Sequence, residues 1–176
     1  EGECTECAKS THCELQKLAN YLGVDEADMG ALIKESRHLH IDASNPFFDY
    51  EPEKCILCGI CVRPCDELEE IHALDYADRG FKTTVAPFNK EPWVDSRCES
   101  CGECLVRCPT GAISYEKCVQ PSREVLTTCP YCGCGCNFYL GVRGNEIVSS
   151  RGDRNCIPSD GSLCVKGRFG FGYVNS

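Results

Sequence analysis

Apolar residues recur at helical spacing near the start of the chain, where Leu15, Leu18, Ala19 and Leu22 of ELQKLANYL share one face and Gly23 follows as a stop. A second helix is expected to open near Asp25, with Ala27, Ala31, Leu32 and Ile33 on its packing side. From Asn45 to Lys54 that periodicity gives way to Pro46, Pro52 and the aromatics Phe47, Phe48 and Tyr50, which read as an extended connector. Val62 to Ile71 predicts a short helix. The following ALDYA and FKTTVAPF are strand-like around a turn at Arg79-Gly80, with Tyr76 and Phe81 expected to pack. Cys118 to Glu124 reads as a polar linker, and NFYLGVRGNEIVSS as a hairpin turning at Gly144-Asn145.

These elements are too short to enclose a large core, and composition says what replaces it. Of 176 residues, 18 are cysteine, so the 42% hydrophobic content overstates the apolar core. At this cysteine density covalent or metal staples take over much of the work of packing, in one ordinary domain or two or three very small ones. No signal peptide is visible, and no apolar run approaches the ~18 residues of a membrane span. Thiols that must stay reduced to hold metal point to the cytoplasm. The net charge of −9 is uneven: residues 1–100 hold 21 acids against 10 bases, and residues 101–176 hold 6 against 8. Nothing in this balance suggests nucleic-acid binding; it is ordinary solubilising charge, or, at the weakly basic end, a face for a phosphate-bearing cofactor.

The cysteines repeat. CILCGICVRPC ends at Cys65 and CESCGECLVRC at Cys108, both spaced C-x2-C-x2-C-x3-C, with Pro109 after the second and Asp66 where the first might have carried a proline. This resembles the ligand pattern of a bacterial two-cluster ferredoxin, in which the fourth cysteine of each run ligates the other cluster. The resemblance implies one 4Fe-4S cluster on Cys55, Cys58, Cys61 and Cys108, and another on Cys98, Cys101, Cys104 and Cys65. It also makes PTGAISY the exit strand of that unit. Zinc is the nearest alternative, but Cys4 zinc sites are built from two pairs, not from a triplet with a remote fourth ligand. Disulfides are less expected still. Gly59, Gly102, Gly111 and Gly133 are the expected points where backbone N-H groups approach the sulfurs.

The two ends carry further patterns. Cys4, Cys7 and Cys13 are spaced C-x2-C-x5-C, which resembles the histidine-plus-three-cysteine site of complex I large iron-sulfur subunits. That resemblance puts the histidine one residue before Glu1, and His12 is read as a bystander. CPYCGCGC supplies Cys129, Cys132 and Cys136, followed by Cys164 in LCVKGRFGFGYV, and this resembles the amino-terminal cluster domain of molybdenum or tungsten bis-pyranopterin oxidoreductases. Cys134 fits the spacing less well than Cys136. By the same resemblance Lys166 would lie between the last cluster and a pterin, as an electron relay.

The order of these parts is similar to the front of the catalytic subunit of a cytoplasmic formate dehydrogenase of the NAD-linked or hydrogenase-linked type. The fold expected is α+β, small iron-sulfur domains in series. Residues 1–45 form part of a histidine/cysteine-type domain, 46–120 a two-cluster ferredoxin-like domain, and 121–176 a β-hairpin 4Fe-4S domain. The resemblance implies four 4Fe-4S clusters. It also implies a Mo or W bis-pyranopterin guanine dinucleotide held by a remainder of the subunit, and a hetero-oligomer with flavin/NAD(P)-binding, ferredoxin or hydrogenase subunits. No catalytic residue is expected within this chain, which is read as a piece of a longer one. A free-standing polyferredoxin, or the matching subunit of an NADH dehydrogenase or hydrogenase, is the alternative. Cys118, Cys134 and Cys156 are left over, and packing is the default for them.

Overall fold

The structure, a computed structural model, describes residues 14–24, 39–115 and 119–175. The expected second helix, the Cys4, Cys7 and Cys13 site, and Cys118 lie outside the described residues. The first helix spans Glu14–Leu22. Gly23 ends it at φ 68°, while the amides of Gly23 and Val24 return to the carbonyls of Asn20 and Ala19. Leu18 and Leu22 on its apolar face are exposed among the described residues.

The central unit is closed by a two-residue ladder. Strand β1 (Asp49–Tyr50) pairs antiparallel with β4 (Ile113–Ser114), Tyr50 opposite Ile113. Thus the expected connector carries a strand, because PTGAISY returns beside it. Phe48, Val85, Trp93, Leu105 and Ile113 are buried together with Cys61, Cys104 and Cys108. Trp93 meets Phe48 edge-on at 5.2 Å and Tyr50 at 5.6 Å. A core this small is built around its cysteines, as the composition requires.

Two short helices follow cysteine triplets, Val62–Glu67 and Glu103–Arg107. The first stops four residues before the expected Ile71. Its chain turns back instead, with Glu70 and His72 at positive φ and the amides of Ile71 and His72 both on the carbonyl of Cys65. That reversal delivers the Ala73 amide to the Cys65 sulfur at 3.3 Å. Strands β2 (Leu74–Ala77) and β3 (Thr84–Pro87) then form the expected hairpin. Its turn leaves Phe81 99% exposed, so the expectation that Phe81 packs is wrong. Tyr76 is partly exposed, and its hydroxyl donates to the Leu57 carbonyl at 3.0 Å.

The last unit is a three-stranded antiparallel sheet in the order β5 (Arg123–Thr128), β6 (Asn137–Arg143), β7 (Glu146–Gly152). The β6-β7 hairpin turns at Gly144-Asn145 as expected. The edge strand β5 was not expected, since it begins inside the stretch read as linker. Its Val125 and Thr127 alternate too weakly to stand out before β6 is known as their partner. Glu124 on β5 receives both Arg151 Nε, at 3.2 Å, and an Arg151 terminal nitrogen, at 2.6 Å. The helix Val165–Phe169 carries this unit onto the central one, where Phe169 stacks on Phe47 with centroids 4.5 Å apart.

Candidate metal centres

The repeated motif folds the same way twice. Leu57 and Ser100, each two residues past the first cysteine of its run, adopt φ 56° and 55°. Their amides donate to the sulfurs of Cys55 and Cys98, both at 3.4 Å. Gly59 and Gly102 follow at φ 72° and 78°. A non-glycine residue held in the left-handed region costs about 1 kcal/mol, and two at matching positions mark a loop shaped to aim N-H groups inward. In the twin runs the amides on cysteine sulfur, among the described residues, are those of Leu57, Ser100 and Ala73. Gly59, Gly102 and Gly111 supply positive φ, and Gly133 does not.

Each loop folds round a cavity, and the fourth cysteine comes from the other run. Cys55, Cys58 and Cys61 line one cavity with Cys108. Cys98, Cys101 and Cys104 line a second with Cys65. Helix Val62–Glu67 carries Cys65 away from its own triplet, and helix Glu103–Arg107 does the same for Cys108. Among the described residues no group of three or more His, Cys, Asp or Glu side chains is close enough to hold a single metal ion. A zinc site, with Zn–S about 2.3 Å, draws its four sulfurs to within about 4 Å of one another. Four thiols spread round a cavity, with amides aimed at them, suit a multinuclear cluster.

Electrostatics agree. Burial first, then the neighbouring Cys55, Cys108 and Cys58 thiols, push the Cys61 thiol up to about 12. Burial pushes Cys101 up to about 11, and burial followed by Cys101 and Cys98 raises Cys104 strongly. Thiols crowded this way resist ionising until a cation arrives, and metal coordination deprotonates them outright. Tyr50 gives a further sign. It is 6% exposed and lines the first cavity. Burial first, then the neighbouring Cys55 thiol, raise its pKa, and the Val85 amide close by lowers it. A buried O-H beside four thiols, with no hydrogen bond of normal geometry, fits a site whose sulfurs become better acceptors once metal is bound.

Three family profiles match the chain. They are the molybdopterin oxidoreductase Fe4S4 domain over residues 122–176, the 4Fe-4S dicluster domain over 54–112, and the NADH-ubiquinone oxidoreductase-G iron-sulfur binding region over 1–28. The chain carries iron-sulfur domains of the molybdopterin oxidoreductase and NADH-quinone oxidoreductase G types. It is 31% identical over 179 residues to the NADPH-Fe(3+) oxidoreductase subunit alpha of Geobacter sulfurreducens, covering 99% of this chain and 20% of that protein. It is 25% identical over 217 residues to a Staphylococcus haemolyticus protein named "Putative formate dehydrogenase", covering 98% of this chain and 22% of that one. The chain thus spans about a fifth of the length of these curated relatives. Among solved structures, the NAD+-reducing NiFe-hydrogenase in its H2-reduced state matches with TM-score 0.57 and 29% identity, over 66% of this chain and 48% of that one.

In the iron-sulfur domain of the molybdopterin oxidoreductase type, the cysteines are more open. Cys129 is buried against Phe138 and Leu163 with Cys136 beside it, and its amide donates to the Cys136 carbonyl at 2.8 Å. Cys132 and Cys164 are exposed. Cys134 is exposed too, against the packing expected of it, while Cys156 is buried and accepts the Asn137 amide at 3.2 Å. Lys166 lines a cleft with Tyr131, Phe138 and Tyr173. A wider cleft of about 590 Å³ on the central unit, lined by His40, Asp42, Phe81 and Lys90, holds no cysteine.

Sequence reasoning missed Tyr50, Glu103 and Arg168 as site residues. Glu103 stands between two ligand-type cysteines in CGEC, a weak signal. Nothing in the sequence separates Arg168 from a surface arginine, because its partner is 65 residues away.

Proposed function

We propose that this chain is the electron-transfer front of the catalytic subunit of a formate dehydrogenase. It would link a Mo or W bis-pyranopterin site in the remainder of that subunit to NAD(P)-, ferredoxin- or hydrogenase-linked partner subunits in a cytoplasmic hetero-oligomer. The observation that carries the electron-transfer part is the exchange of fourth cysteines between the two cavities. In this reading Cys55, Cys58, Cys61 and Cys108 hold one 4Fe-4S cluster, and Cys98, Cys101, Cys104 and Cys65 a second. Cys129, Cys132, Cys136 and Cys164 hold a third, and Cys4, Cys7 and Cys13 take a histidine from before Glu1 to hold a fourth. The units divide at residues 45 and 120. Such clusters supply one-electron storage whose potential is set by ligands, hydrogen bonds and burial. The chain's own residues hold the thiols apart and aim amides at them. Lys166 faces the pterin side.

The formate assignment is supported by the CPYCGCGC form and by the name of the staphylococcal relative. A second reading, a front that receives NADPH electrons, is favoured by the higher identity to the Geobacter protein. The deciding experiment uses the full-length protein: molybdenum, tungsten and iron content, then cluster bleaching with formate and, separately, with NADPH. Formate bleaching with metal present upholds the first reading. NADPH bleaching with formate inert replaces it by the second. Iron without molybdenum or tungsten, and no bleaching by either, leaves a polyferredoxin.

A further inference from the structure

The helix Val165–Phe169 buries a guanidinium. Arg168 is 1% exposed and its ion-pair partner Glu103 2%, an arrangement that is unfavourable unless the pair's hydrogen bonds are filled. They are filled by the central unit. Arg168 Nε donates to the Cys101 carbonyl at 2.7 Å, a terminal nitrogen donates to Glu103, and Glu103 also takes Arg107 Nε at 2.9 Å. Its backbone amide makes the helix bond to the Cys164 carbonyl at 3.0 Å, which holds residue 168 to that cysteine whatever its side chain and leaves the guanidinium to reach the other loop. One residue is thereby hydrogen-bonded to peptides of two cysteines from different sets. Gly102 makes room for it, since a Cβ there would stand 2.3 Å from Arg168 Cδ.

We infer that Arg168 is a positioning residue of the site formed by Cys65, Cys98, Cys101 and Cys104. It fixes the Cys164 loop against the Cys101 loop, and its charge favours the reduced state of what that site holds. This rests on the reading of the cavity as a cluster site. The sign follows from the surrounding charges. Without Arg168, three carboxylates, Glu103, Glu99 and the half-buried Glu69, are left near the site with Arg107 as their cation, and adding an electron there becomes harder. Lysine is not equivalent, because one ammonium cannot span the Cys101 carbonyl and the Glu103 carboxylate as the planar fork does.

The test uses the full-length, cluster-loaded protein with Arg168→Met and Arg168→Lys. Iron content, midpoint potentials from an EPR-monitored redox titration, and spin-spin broadening between reduced clusters are measured. The signal of this site is assigned as the one lost in Cys98→Ser. With iron retained, the methionine variant is expected to shift the reduction equilibrium of that signal about tenfold against reduction, about 59 mV for one electron. Broadening from the Cys164 side should weaken, and the Cys55 signal should stay in place. The lysine variant should move the same way by less. Wild-type potentials and broadening in an iron-replete variant overturn the inference, and if the methionine variant loses iron the lysine variant decides. A wild type with no signal lost in Cys98→Ser refutes the cluster reading itself, which separates the two failures.

Discussion

Replacing Tyr50 by phenylalanine should change stability in opposite directions in the cluster-free and the loaded protein. The ring is held by Trp93, and phenylalanine keeps that contact, so the perturbation is the hydroxyl alone. In the cluster-free fold that hydroxyl is buried with no hydrogen bond of normal geometry, only the Cys55 thiol and the Val85 amide standing close to it, and leaving such a group poorly satisfied costs up to about 1–3 kcal/mol. Removing it should raise the melting temperature, by about 4–8 °C per kcal/mol for a unit of under 100 residues. With thiolates in place the hydroxyl gains an acceptor in the Cys55 sulfur, and a hydrogen bond to a charged group contributes about 1.5–3 kcal/mol. Its loss should destabilise the loaded protein. Because the bond strengthens as the site becomes more negative, the loss should also lower the potential of that cluster, by up to about 59 mV if it is tenfold stronger in the reduced state. The assay is thermal unfolding of both forms, with a redox titration of the loaded one. A change of the same sign in both forms, or an unmoved potential, would refute the reasoning that the hydroxyl faces the ligand sulfurs.

Cys65→Ser should remove the EPR signal that Cys98→Ser also removes, while leaving the one lost in Cys55→Ser; loss of the Cys55 signal instead would mean that the ligands do not cross. In cluster-free protein the Cys61 thiol, raised from 9.0 to about 12, stays protonated in the fold while the unfolded chain ionises. Its contribution is therefore complete below pH 9 and is lost as pH rises towards 12, so melting temperature should fall across that window, and a flat profile contradicts the buried thiol. At pH 8 iodoacetamide should label exposed Cys132, Cys134 and Cys164 before Cys61 and Cys104, as read by peptide mass spectrometry. If the formate reading proposed above holds, Lys166→Met in the full-length protein should keep its metals yet slow formate-driven reduction of the cluster assigned to Cys129 several-fold, and unchanged rates would make Lys166 an ordinary surface lysine.

The twin runs were legible because cysteine spacing acts locally: the same steps in sequence produce the same left-handed Leu57 and Ser100. The β6-β7 hairpin was legible for a similar reason, its turn residues standing next to the strands they join. What depends on distant partners was not. The early stop of helix Val62–Glu67 is set by the demand of the Cys65 sulfur for the Ala73 amide, a need that helix propensity does not record. β5 exists because β6 offers a ladder. Phe81 looks like a core residue in composition, and only the geometry of its turn sends it outward. Arg168 and Glu103 are two charges in a list of many until the terminal helix docks and buries them together.

The ladder of β1 with β4 has a consequence for how such chains are assembled. Asp49 lies opposite Ser114, and the Glu51 amide reaches the Ala112 carbonyl at 2.7 Å, so the segments entering and leaving the central unit run side by side. A unit whose ends meet can be inserted into another polypeptide, or taken out of it, without rethreading what lies on either side. Neighbouring redox units can then be joined in tandem by short splices. The requirement that survives such shuffling is a matched surface such as the one Phe169 and Arg168 find at Phe47 and Glu103.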